Sequence, residues 1–129
     1  MATKQEALAA LDAGYEKFRS GIKDLPDSAY AEQWLGDWNL SHVLAHMTGW
    51  YREMTGALER VGRGERPTPE GVNYNDVQPW NDKFAQAAKP GREALTAWED
   101  AYRSYREAAA ALPDDKYGID PEKGRALIG

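Results

Sequence analysis

The chain has 129 residues, no cysteine and a net charge of −5. That length suits one domain with its own core, and the missing cysteines exclude a disulfide framework, a thiolate nucleophile and a thiolate metal site. An acidic chain with its charges mixed throughout repels a phosphate backbone, so nucleic acid is not an expected partner. The N-terminus carries no apolar signal core, and no apolar run approaches the roughly 20 residues of a membrane span. The expectation is a soluble, cytoplasmic protein with no membrane partner.

Helical periodicity dominates and no segment sustains a period of two, which predicts an all-α fold. The first helix is expected from about Thr3 to Lys23, with Leu8, Leu11, Tyr15, Phe18 and Ile22 on one stripe. Asp24-Leu25-Pro26-Asp27 ends it, because a proline disfavours helical geometry at the preceding residue. A connector, Ser28 to Asp37, carries Tyr30 and Trp34. The second helix begins near Asn39 or Ser41, either of which can cap a first turn. Its stripe is Leu40, Val43, Leu44, Met47, Tyr51, Met54, Leu58 and Val61, and it stops near Gly62-Arg63-Gly64, before the loop Arg66 to Gly71.

A third, shorter helix is predicted over Asp76 to Ala88, with Val77, Trp80, Phe84 and Ala88 inward. The fourth spans Gly91 to Leu112, and its seam of Leu95, Trp98, Tyr102, Tyr105, Ala109 and Leu112 suits a bundle helix. Glu99, Asp100, Arg103, Arg106 and Glu107 read as its solvated face. From Pro113 onward the chain is rich in charge, proline and glycine.

Both histidines lie in the second helix, in Trp38-Asn39-Leu40-Ser41-His42-Val43-Leu44-Ala45-His46-Met47-Thr48-Gly49-Trp50. At about 100° per residue, His42, His46, Trp50 and Glu53 form a strip flanking the apolar stripe, with His46 closer to the stripe than His42. His46 is therefore the candidate general base or metal ligand. From spacing alone a satisfied boundary histidine is the commoner outcome, and for His42 a solvent-facing residue is commoner still. A pair of histidines four apart still needs a third donor for a stable divalent site, and Val43 stands where a zinc-protease acid would be. Five tryptophans and seven tyrosines exceed what a minimal bundle needs. Trp98, Tyr102 and Tyr105 fit plain core, while Trp50 and Tyr74 fit it less well. In Val72-Asn73-Tyr74-Asn75-Asp76, Asn75 or Asp76 is either an N-cap or part of a pocket rim.

The Trp38 to Trp50 segment, the proline- and glycine-rich loop after it, Tyr74-Asn75-Asp76 and Asn81 resemble the ClbS/DfsB family, a branch of the DinB-like superfamily. The resemblance spans essentially the whole chain, and its strongest part, WxxxxxLAHxxGW, is moderately specific. It implies an antiparallel four-helix bundle with a central pocket for a small-molecule ligand, and it puts the site at His46. It implies either hydrolysis of an electrophilic metabolite, as in a self-resistance protein, or metal-dependent transfer of a thiol such as mycothiol or bacillithiol.

On that basis His46 is the expected catalytic residue, and Trp50, Tyr74, Trp80 and Asn75 are expected to contact substrate. The cofactor is expected to be either none or one divalent metal, held by His46 with Glu53 or a carboxylate such as Asp76. The position of His42 is commonly acidic in relatives, so the resemblance lends it no role. Relatives continue past Gly124-Arg125-Ala126-Leu127-Ile128 into a further helix that supplies ligands, whereas this chain stops at Gly129. The apolar seam so left predicts a homodimer. A helical interaction module without catalysis is the third reading.

Overall fold

A computed structural model describes residues 4–35 and 38–112, with the backbone alone for 33–35. Helix α1 runs Lys4–Ile22, a 3₁₀ turn spans Asp27–Ala31, and a small hairpin pairs β1, Gln33–Leu35, with β2, Trp38–Asn39. Helices α2, Leu40–Gly62, α3, Val77–Gln86, and α4, Gly91–Ala111, complete the described chain. The expected all-α fold stands, and the connector turns out to be partly ordered. Its Tyr30, carried inward by the 3₁₀ turn, is only 1% exposed. The expected helix start at Thr3, the side chain of Trp34 and the segment from Pro113 onward lie outside the described residues.

Both ends of α2 follow from local chemistry. Asn39 is its N-cap: the side-chain Oδ1 accepts from the His42 backbone N–H at 2.9 Å, and the Asn39 N–H donates to His42 Nδ1 at 3.1 Å. This reciprocal capping box satisfies amides that the first turn leaves unpaired. His42 is therefore half-buried in a structural task rather than turned to solvent. At the other end Gly64, with φ of 83°, donates to Val61 O and the next N–H, that of Glu65, to Arg60 O. That is a Schellman closure, which needs a residue free to adopt positive φ.

The core falls into two clusters. One joins Ala7 and Leu8 of α1, Leu58 and Val61 of α2, and Tyr105, Ala109 and Leu112 at the end of α4. The other joins Ile22, Tyr30, Leu40, Leu44, Ala94, Leu95 and Trp98. The expected stripes of α1, α2 and α4 are thus the ones that pack. Cluster membership also fixes direction. Helix α1 is antiparallel to both neighbours, while α2 and α4 run the same way, because the long loop and α3 return the chain to the end where α2 began.

Two details depart from the periodicity. Val77 is 48% exposed instead of inward. Burial along α3 falls from Phe84 through Trp80 to Val77, so only the C-terminal part of this short helix seats on α2. Glu99 and Arg106 do not belong to a freely solvated face. Glu99 accepts from Arg19 Nε at 2.6 Å, and Arg106 donates to both carboxylate oxygens of Asp12 at 3.0–3.2 Å. Lys4 closes the far end by donating to Ala110 O and Leu112 O, both at 2.8 Å, where α4 leaves carbonyls unpaired.

Replacing Asn39 by Ala should lower unfolding stability by about 1 kcal/mol in chemical denaturation. Combining it with His42→Ala should cost less than the two single losses added, because both break the same box.

Candidate functional site

The site is built where α3 docks on α2. Phe84 lies directly on Gly49: a Cβ there would sit 2.2 Å from the ring. Only glycine lets the helices approach this closely, and the approach brings Asn81 of α3 to the residues flanking Gly49. Trp50 Nε1 donates to Asn81 Oδ1 at 2.8 Å. His46, one turn earlier, also faces Asn81, which favours its protonated form. The other side of the imidazole meets Trp38, with ring centroids 5.3 Å apart. One amide thus stands between the histidine and the indole.

Around Trp50 the aromatic side chains support one another. Its ring centroid lies 5.9 Å from that of Tyr74, 6.0 Å from Trp80 and 5.4 Å from Phe84, while Tyr74 and Trp80 are 5.1 Å apart. The polar edges are also spoken for. Tyr74 Oη donates to Glu53 Oε1 at 2.9 Å, and Trp80 Nε1 donates to the Asn73 carbonyl at 2.9 Å. Of the expected substrate contacts, the structure therefore brings Trp50, Tyr74 and Trp80 together beside His46. Asn75 stays exposed in the turn before α3, its N–H donating to Asn73 Oδ1 at 3.0 Å. Asp76 occupies the N-cap position of α3 without a side-chain capping bond.

Electrostatically, burial holds the His46 imidazole below its ordinary pKa, and the Asn81 amide offsets only part of this. At neutral pH the ring is uncharged and keeps a lone pair. Tyr74 is pushed upward, first by burial and then by its bond to the Glu53 carboxylate, so it remains a neutral donor.

A divalent metal finds no assembled donor set here. Glu53 accepts from Tyr74 and His42 is committed to the α2 cap, which leaves His46 as a lone nitrogen donor. No group of three or more His, Cys, Asp or Glu side chains converges among the described residues.

Periodicity did not single out Gly49, Phe84 or Asn81 as site builders. A glycine inside an otherwise strong helical stripe was the available signal, since it costs helix stability unless a close approach requires it.

With this geometry established, comparison places the chain. Residues 11–120 match the model of the mycothiol maleylpyruvate isomerase N-terminal domain. The chain belongs to that family. The family is a DinB-like helical domain, in keeping with the bundle seen here. No curated protein and no solved structure matches the chain significantly. No described helix is long and apolar enough to cross a membrane.

Gly49→Ala should destabilise the fold by about 1–3 kcal/mol through overpacking, with Trp50 and Trp80 emission shifting to longer wavelength as α3 lifts. For His46 the sign runs against acid: the unfolded chain takes up a proton near pH 6.5 and the folded imidazole only at lower pH. Stability should therefore fall as pH drops below about 6.5. Denaturation at pH 7 and pH 5.5 should show a smaller difference in His46→Gln than in the parent chain.

Proposed function

We propose that this DinB-like domain binds a small electrophilic organic molecule beside His46 and promotes attack on it by a low-molecular-weight thiol. The observation that carries the reading is His46 itself: an imidazole kept uncharged by burial, oriented by Asn81 and Trp38, and flanked by the Trp50, Tyr74 and Trp80 side chains. A neutral imidazole can take the proton of an incoming S–H group. The thiolate then forms the new S–C bond, and the imidazolium returns its proton to the carbon or oxygen that received the electron pair. Atoms and charge balance without an added redox partner. Family membership favours the thiol, since the matching domain is named for a mycothiol maleylpyruvate isomerase.

Hydrolysis of an electrophilic metabolite in the ClbS/DfsB manner is the second reading, resting on the resemblance of the Trp38 to Trp50 segment to that family. It uses the same base with water as nucleophile.

The test follows loss of a panel of Michael acceptors and strained-ring electrophiles, with and without a cysteine-derived thiol. Acceleration that requires thiol, and that falls about 10²-fold or more in His46→Gln while thermal stability is retained, supports the proposal. Acceleration without thiol shifts the assignment to hydrolysis. Equal rates for parent and variant would leave the aromatic group as packing alone.

A further inference from the structure

The Gly49–Phe84 contact has a second flank. At about 100° per residue, Ala45, Thr48 and Arg52 lie on the side of Gly49 away from His46 and Trp50. There the three helices α2, α3 and α4 leave a half-open cavity of about 250 Å³. Its walls are Gly49, Phe84 and four alanines, Ala45, Ala87, Ala94 and Ala97. The space exists because these side chains are small, and it equals on the order of eight waters by liquid volume. Arg52, Lys83, Lys89 and Glu53 also line it.

Two features point to an occupant. The first is charge. Three cations and one carboxylate give the lining a formal +2, on a chain whose net charge is −5. Arg52 and Lys89 have no ion-pair partner among the described residues, and Lys83 makes only a cation–π contact, its Nζ 5.4 Å from the Trp80 ring centre. Glu53, the opposing charge, already accepts from Tyr74. The second feature is Thr48, which is 6% exposed, lines the cavity, and carries a buried Oγ1 with no hydrogen-bond partner. A 120° turn about χ1 carries the hydroxyl into another staggered position, where an acceptor in the cavity would give it the partner that the fold withholds.

We propose that this cavity is a binding site for a small apolar molecule bearing one carboxylate, its body against the alanines and Phe84 and its carboxylate toward Arg52. A guanidinium presents a planar fork matched to a carboxylate, with the two lysines adding field at the mouth. The apolar lining selects for a hydrocarbon or aryl body, and Glu53 disfavours a second negative charge. The site lies on the flank away from His46 and does not depend on the proposed reaction there.

The test uses the full chain with benzoate as probe and benzamide as its neutral counterpart, read by calorimetry and by chemical-shift titration. Benzoate should bind saturably, at least tenfold more tightly than benzamide, and more weakly as salt is raised. Arg52→Gln should weaken benzoate by about tenfold and leave benzamide unchanged. Ala97→Leu, which fills the cavity, should abolish binding of both, with Ala87→Leu as the replacement if that variant does not fold. No saturable binding at millimolar benzoate, equal affinity for the two probes, or binding indifferent to Arg52→Gln and to the filling variant would each overturn the proposal.

Discussion

The close approach of Phe84 to Gly49 is the constraint on which both flanks of α3 depend. A short helix has little surface with which to hold its position, and α3 buries only Phe84 fully. Removing the side chain at position 49 lets the ring reach the α2 backbone, where contact is densest. Every other feature of the region follows from that seat. Asn81 falls within reach of Trp50 and His46 on one side, and on the other Phe84 becomes a wall of a cavity that the neighbouring alanines leave open. A glycine in mid-helix carries a propensity cost near 1 kcal/mol relative to alanine. Here the cost is offset by an aromatic ring packed where no other residue would admit it.

The rest of the bundle is arranged to keep α2 fixed beneath α3. Helices α2 and α4 form the main contact and share both core clusters. Helix α1 adds an aromatic stack, with Tyr15 3.8 Å from Tyr102 and 4.6 Å from Trp98 between ring centroids. Its ionic ties are partly exposed, and such pairs contribute about 0–1 kcal/mol each. Asp12 is the best organised of them. It accepts from Arg106 through both oxygens and also from the Tyr102 hydroxyl, which together hold its carboxyl below the usual range. The Tyr102 phenol is pushed upward by burial and by that same carboxylate. These polar contacts set the register of α1, while the stacked rings and the Leu8 and Ile22 ends hold it down.

Most of the frame was legible because its signals are local or periodic. The stripes of α1, α2 and α4, a cap at Asn39 or Ser41 and a stop near Gly62-Arg63-Gly64 each require only nearby residues or a repeat of three and four. His46 stood out for the same reason, as the histidine nearer the apolar stripe. What could not be read was whatever depends on pairs distant in sequence. The bond from Trp50 to Asn81 spans 31 positions and that from Tyr74 to Glu53 spans 21, and neither leaves a periodic trace. Arg106 and Glu99 looked like solvent residues because their partners, Asp12 and Arg19, sit on another helix. Alanine is equally uninformative, since four of them surround a cavity here yet each reads alone as a good helix former.

The two flanks of α3 differ in the charge state they favour, and one helix face produces both. Around His46 stand Trp38 and the neutral amide of Asn81, and the amide offsets only part of the cost of burying a charged ring, so the imidazole is held below its ordinary pKa. Across Gly49 the lining reverses: Arg52, Lys83 and Lys89 are exposed cationic side chains beside an apolar floor of alanines and Phe84. Glu53 belongs to both regions, accepting from Tyr74 on the aromatic side while lining the cavity on the other. An acidic chain thereby maintains, on the two sides of Gly49, a neutral basic nitrogen and a positively charged cavity.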